Sequence, residues 1–169
     1  MVAPTITHYN VISRVLRYIK SSLSQGLFYP SASTIHIKGF SDSDWATSPD
    51  TRSFVSGYCM FLDNALVSWK SKKQNTVSRS SSEAEYRALV IAYCEVQWLT
   101  YLLRDFKVLF KEATLLYCDN NSARYIAANH VFHERTKHME IDCHVARESL
   151  ISKLYHLLPI TTTNQTDNK

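Results

Sequence analysis

Three acidic residues, Asp42, Glu85 and Asp119, stand where carboxylates can do chemistry. Asp42 closes a strand-like run that begins at Thr34 and carries Ile35, Ile37 and Phe40. Asp119 closes the short apolar run Thr114–Cys118, just before a helical stretch. In open mixed sheets, sites gather at the carboxyl ends of such strands. Glu85 lies four residues before Leu89 on the stripe Leu89, Ala92, Val96, Leu99, Leu103, so it falls on the face that the helix buries. A carboxylate there is costly unless it is paired or bound to metal. Glu83, two residues earlier, is turned by roughly 200° and is expected to face elsewhere. Two of the three positions also have a purely structural use. Ser82 and Glu85 have the spacing of an S-x-x-E capping box, and Asp119 is placed to cap the helix after it. Three converging carboxylates form an all-oxygen donor set suited to Mg²⁺ or Mn²⁺. Two such ions, about 3.5–4 Å apart, can activate water and stabilise the leaving oxygen of a phosphodiester without a general-base histidine.

Two further groups invite chemistry. His130, His133, His138, Cys143 and His144 fall within fifteen residues, but their spacing matches no standard zinc module and no cysteine pair accompanies them. A histidine-rich surface or substrate-edge segment is the preferred reading. Lys70, Lys72, Lys73 and Arg79 cluster beside Trp69 in a polar stretch. They form either a solvated loop or a phosphate-contacting strip, which would gain affinity by releasing counterions.

The elements that must position these residues can be read from periodicity. Residues 5–23 predict an amphipathic helix, with Tyr9, Ile12, Val15, Leu16, Ile19 and Leu23 at helical spacing. Ser24–Ser33 reads as a linker. Thr34–Asp42, Gly57–Leu62 and Ala65–Lys70 read as a three-stranded meander, the last two joined by a tight turn at Asp63-Asn64, with Ser43–Ser56 as a polar connection. A long helix follows, then strand Thr114–Cys118, a short helix Asn121–Ala128, a second helix over Lys137–Ser152 and a last strand over Leu154–Ile160. This order predicts a mixed α/β fold, a central sheet with an antiparallel meander and flanking helices.

Composition sets outer bounds. The 169 residues suit one domain able to bury a core without disulfides. Three glycines and no GxGxxG or GxxxxGK[ST] pattern set aside the usual nucleotide-binding loops. A net charge of +4 permits nucleic-acid binding without requiring it. Four scattered cysteines predict reduced thiols in an intracellular, non-secreted protein, and no run of about 18 apolar residues predicts a membrane span.

The blocks SDSDWA (41–46), SSSEAEYRAL (80–89), YCDNNSA (117–123) and RTKHMEID (135–142) together closely resemble the ribonuclease H domain of copia-type LTR retrotransposon Pol polyproteins, over about residues 38–165. RVLRYIKSSLSQGL (14–27) resembles the stretch joining the reverse transcriptase to that domain. The resemblance implies a ribonuclease H-like fold at 34–160, preceded at 1–33 by a helical remnant of the reverse-transcriptase connection and a linker, and followed at 161–169 by a loose tail. It implies Mg²⁺ (or Mn²⁺), two ions, and endonucleolytic hydrolysis of the RNA strand of an RNA/DNA hybrid. It assigns Asp42, Glu85 and Asp119 as the first three metal-binding carboxylates. The reverse-transcriptase portion of the polyprotein is the implied partner, and its YxDD motif is absent from this chain. Further candidates for nucleic-acid contact are Trp69, Lys70, Lys72, Lys73 and Arg79, with Asn121, Ser122, Arg135 and Lys137 in the last two blocks. The family carries a fourth active-site aspartate in an NQ-x-ADI-x-TK-like segment. Here the chain reads NQTDNK, which sets Asp167 one residue out of register. The alternative expectation is therefore a weak or inactive remnant that binds nucleic acid or a partner.

Overall fold

The computed structural model describes residues 3–31, 34–45, 53–108, 112–128 and 155–160. Their elements run α1 (Ile6–Ser21), β1 (Ile37–Asp44), β2 (Ser53–Leu62), β3 (Ala65–Val77), α2 (Ser81–Asp105), β4 (Thr114–Cys118), α3 (Asn121–Ala128) and β5 (Tyr155–Pro159). The strands form one five-stranded sheet in the order β3-β2-β1-β4-β5. β1, β2 and β3 pair antiparallel, whereas β1–β4 and β4–β5 are parallel. This is the mixed sheet and meander expected from the sequence. The predicted helix at Lys137–Ser152 and the tail from 161 lie outside the described residues.

The meander is longer than its apolar runs suggest. β1 continues to Asp44 and β2 begins at Ser53, so part of the predicted connection is strand. β3 likewise continues past Lys70 to Val77. The cause is backbone pairing. Asp44 lies opposite Val55 and Ser53 opposite Val77, and a ladder hydrogen bond does not depend on an apolar side chain. The hairpin turn falls where predicted. Asp63 takes φ 55°, a left-handed value that Asp tolerates, and Leu62 pairs with Ala65 across the turn.

α2 covers one face of the sheet. Its buried residues Tyr86, Leu89, Ala92, Tyr93 and Val96 pack with Ile37, Met60, Leu116, Cys118 and Tyr155 in one cluster. β1 passes closely beneath its neighbours at Gly39, where an added Cβ would lie 2.7 Å from Met60 Sδ and 2.8 Å from Leu116 Cδ1. No residue of α1 is buried. The segment after it reaches the sheet through Tyr29, whose hydroxyl donates to Leu66 O at 3.2 Å. Among the described residues, no helix is long and apolar enough to cross a membrane.

Candidate metal centre

The parallel pairing of β1 with β4 brings two of the three carboxylates to one sheet edge. Lys38, Gly39 and Phe40 lie opposite Leu115, Leu116 and Tyr117, and the Phe40 and Tyr117 rings stack at 5.0 Å. Continuing that register by two residues sets Asp42 level with Asp119. Parallel strands end on the same side, so both acidic residues emerge at the carboxyl edge of the sheet. Asp42 is exposed and Asp119 is half-buried. Trp45, one residue past β1, donates through Nε1 to Ser78 O at 3.0 Å. That bond ties the end of β1 to the loop that starts α2.

Glu85 reaches this edge from α2, and here the sequence-based capping register is corrected. The N-cap is Ser80, not Ser82: its Oγ accepts from Glu83 N at 3.2 Å. Glu83 Oε2 accepts from Arg79 N at 2.9 Å, and its Oε1 pairs with Arg87 at 3.1 Å. Three consecutive serines followed by Glu-Ala-Glu offer the S-x-x-E spacing twice, at 80–83 and at 82–85. Use of the first box lets Glu83 serve the helix terminus, although it is buried rather than turned out to solvent. Glu85 is then not needed as a cap.

Glu85 is 7% exposed. Oε1 accepts from Ser43 N at 3.2 Å, whereas Oε2 is buried with no hydrogen-bond partner. Burial raises the Glu85 pKa to about 8, and the charges of Asp42, Asp119 and Asp44 add to the rise against the opposing Ser43 N–H. Asp119 is relieved of capping in the same way. Asn120 Oδ1 accepts from Ala123 N at 2.9 Å, so Asn120 caps α3. Both acidic residues for which the sequence offered a local structural use thus have that use filled by a neighbour.

The chemistry of these donors fits a divalent cation. Burial and mutual repulsion oppose ionisation of Glu85, and a cation among the three carboxylates would remove both penalties. Cys118, read from sequence only as a core thiol, also borders the centre. One donor atom each from Glu85, Cys118 and Asp119 lie within 4.8 Å of one another. Burial pushes the Cys118 thiol up to about 11, so it stays neutral and is a poor ligand for a hard ion. Apolar patterning gave no signal for Cys118 beyond burial, and Trp45 was visible only as part of its motif.

The predicted nucleic-acid contacts are split. Lys70 lies opposite Tyr58 and Lys72 opposite Ser56, and both partners are buried on the α2 side. Trp69 and Lys73 lie opposite Cys59 and Val55, on the other face. Arg79 is exposed next to the N-cap of α2, and Asn121 and Ser122 are exposed at the start of α3. The Asn121 side chain accepts from Arg124. Asp167, Arg135, Lys137 and the histidine cluster with Cys143 lie outside the described residues.

No protein-family model matches the chain. It is 38% identical over 162 residues to the retrovirus-related Pol polyprotein from transposon RE2 of Arabidopsis thaliana, and 37% identical over 162 residues to that from transposon RE1 of the same plant. Each comparison covers 96% of this chain and 11% of the relative, so the chain spans a small part of the length of these proteins. Among solved structures, it is similar to LC11-RNase H1 isolated from compost, with a TM-score of 0.57 and 14% identity over 80% of this chain and 91% of that one. The same enzyme in complex with an RNA/DNA hybrid gives a TM-score of 0.53 and 12% identity, over 78% and 89% of the two chains. These likenesses show a ribonuclease H-like fold.

Proposed function

The chain is homologous to a segment of the retrovirus-related Pol polyproteins of transposons RE1 and RE2, and on that premise we propose that it hydrolyses the RNA strand of RNA/DNA hybrids as the ribonuclease H unit of a copia-type element. The observation that carries this reading is the buried, unpartnered Oε2 of Glu85, held at the sheet edge where Asp42 and Asp119 emerge. Asp42, Glu85 and Asp119 are the residues that would hold two divalent ions, Mg²⁺ or Mn²⁺, with Asp167 as a further ligand. When bound, such a pair supplies an activated water and stabilises the leaving oxygen of the scissile phosphodiester. The protein's own part is positional. The β1–β4 register spaces Asp42 against Asp119, the Ser43 N–H orients the Glu85 carboxylate, and the Trp45–Ser78 bond holds the helix start against the strand end.

In this reading, residues 34–160 are the hydrolase domain, and residues 1–33 lead into it from the reverse-transcriptase portion. Lys70, Lys72, Arg79, Asn121, Ser122, Arg135 and Lys137 contact the hybrid backbone, whereas Trp69 and Lys73 lie on the opposite sheet face, outside that footprint. A labelled RNA/DNA hybrid should be cut in a Mg²⁺- or Mn²⁺-dependent manner, and Asp42→Asn should abolish the cleavage. Absence of cleavage by the intact chain with either ion would overturn the hydrolase reading. The one-residue offset of Asp167 favours a second reading, a module that binds the hybrid without turnover. Salt-dependent hybrid binding with no product would select it.

A further inference from the structure

β4 ends in a residue that three-carboxylate chemistry leaves unused. Cys118 is fully buried and shares the covered face of β4 with Thr114 and Leu116. Its Sγ lies 3.9 Å from Asn120 O, a weak contact. Together with Glu85 and Asp119 it makes a mixed sulfur–oxygen group whose donor atoms lie within 4.8 Å of one another. Three donors sharing one ion at about 2.0–2.3 Å stand about 3.3–4.0 Å apart, so the trio must draw together by roughly 1 Å to share an ion. A second, independent feature points to a ligand: Glu85 Oε2 is buried without a hydrogen-bond partner.

We propose that Glu85, Cys118 and Asp119 form a binding site for a thiophilic divalent cation of the Zn²⁺ or Cd²⁺ class. The inference rests on the reading of Glu85 and Asp119 as metal ligands, and it adds a sulfur donor to them. Mg²⁺ demands oxygen donors and gives up its water reluctantly, so it ignores the thiol. A thiophilic ion gains from the sulfur and tolerates four-coordinate geometry. As the metal–sulfur bond forms, the thiol proton leaves to solvent, and no electron changes hands. Both modes use the carboxylates of Glu85 and Asp119, so the thiophilic cation excludes the hard ions and silences any chemistry that depends on them.

The test is titration of the full chain with Cd²⁺, followed by the ultraviolet charge-transfer band of a metal-bound thiolate and by calorimetry. A component of that band lost both in Cys118→Ser and in Glu85→Gln, but kept in Cys94→Ser and Cys143→Ser, is the expected result. Cd²⁺ affinity should fall at least tenfold in Cys118→Ser. A band indifferent to Cys118→Ser, or retained in full in Glu85→Gln, would overturn the proposal. Glu85→Gln leaves Cys118 in place, so it decides the matter even where Cys118→Ser fails to fold by circular dichroism. The titration contains no nucleic acid, which separates the two readings. Hybrid cleavage without a Cys118-dependent band sinks this inference alone, and the band without cleavage sinks only the hydrolase.

Discussion

Glu85 carries an electrostatic penalty from burial and from the neighbouring carboxylates, and that penalty has a measurable pH signature. Its folded-state pKa is about 8 against an ordinary 4.5, so the metal-free fold prefers the protonated form. Stability from this group is fully present below about pH 4.5 and is lost as pH rises towards 8. Thermal unfolding in a chelator should accordingly show a midpoint that falls between pH 5 and pH 8.5. A midpoint that rises over that interval would contradict the assignment. Glu85→Gln removes the ionisation while keeping the shape. It should stabilise the chelated protein at pH 8 by about 0.5–2 kcal/mol. Bound Mg²⁺ at a hundred times its Kd would stabilise the native protein by about 2.7 kcal/mol, and the same variant should lose that gain.

Two elements depend on local choices that single substitutions can separate. Ser80 caps α2 while Ser82 sits inside its first turn, so Ser80→Ala should cost about 1 kcal/mol. Ser82→Ala should cost less than about 0.5 kcal/mol, and denaturant unfolding of the pair would reveal a reversed order if the box at 82–85 were the one in use. In β1, Gly39 faces Met60 and Leu116 at distances no Cβ can share. Gly39→Ala should cost about 1–3 kcal/mol through overpacking. Because the same strand delivers Asp42, that variant should also weaken divalent-ion binding, measured by calorimetry. Both expectations follow from how tightly the meander and α2 close on the central strand.

For the molecule as a whole, the question is which sheet face meets nucleic acid. Lys70 and Lys72 line a cleft of about 180 Å³ with Ser56, Tyr58, Gln74 and Ala88 on the α2 side, the side from which Glu85 enters. Lys73 faces away. Removing Lys70 or Lys72 should reduce the salt dependence of hybrid binding by about 0.9 in log–log slope per lost phosphate contact, and Lys73→Ala should leave it unchanged. Binding titrations at several salt concentrations check this, and equal effects from all three lysines would refute a one-faced footprint. α1 stands apart from these considerations. Tyr9, Val15, Leu16 and Ile19 are half or more exposed, so its amphipathic pattern forms a helix without contributing to the described core.

Local pattern made much of this protein legible from sequence. Helical spacing predicted α1 and the buried stripe of α2, Asp63-Asn64 marked the hairpin turn, and a short apolar run delimited β4, because each signal is completed within a few residues of chain. The same stripe placed Glu85 on the inner face. Relations across the fold were not legible in this way. Two capping registers were equally available to the serines before α2, and only the packed helix shows Ser80 and Glu83 in use. The level placement of Asp42 and Asp119 depends on β1 pairing parallel with β4, a contact between segments far apart in sequence. The packing of α2 on the sheet brings Glu85 beside Cys118 and its chain neighbour Asp119, while the β2–β3 ladder sends neighbouring lysines to opposite faces. Periodicity decides which side of an element is buried, but only long-range packing decides what it is buried against.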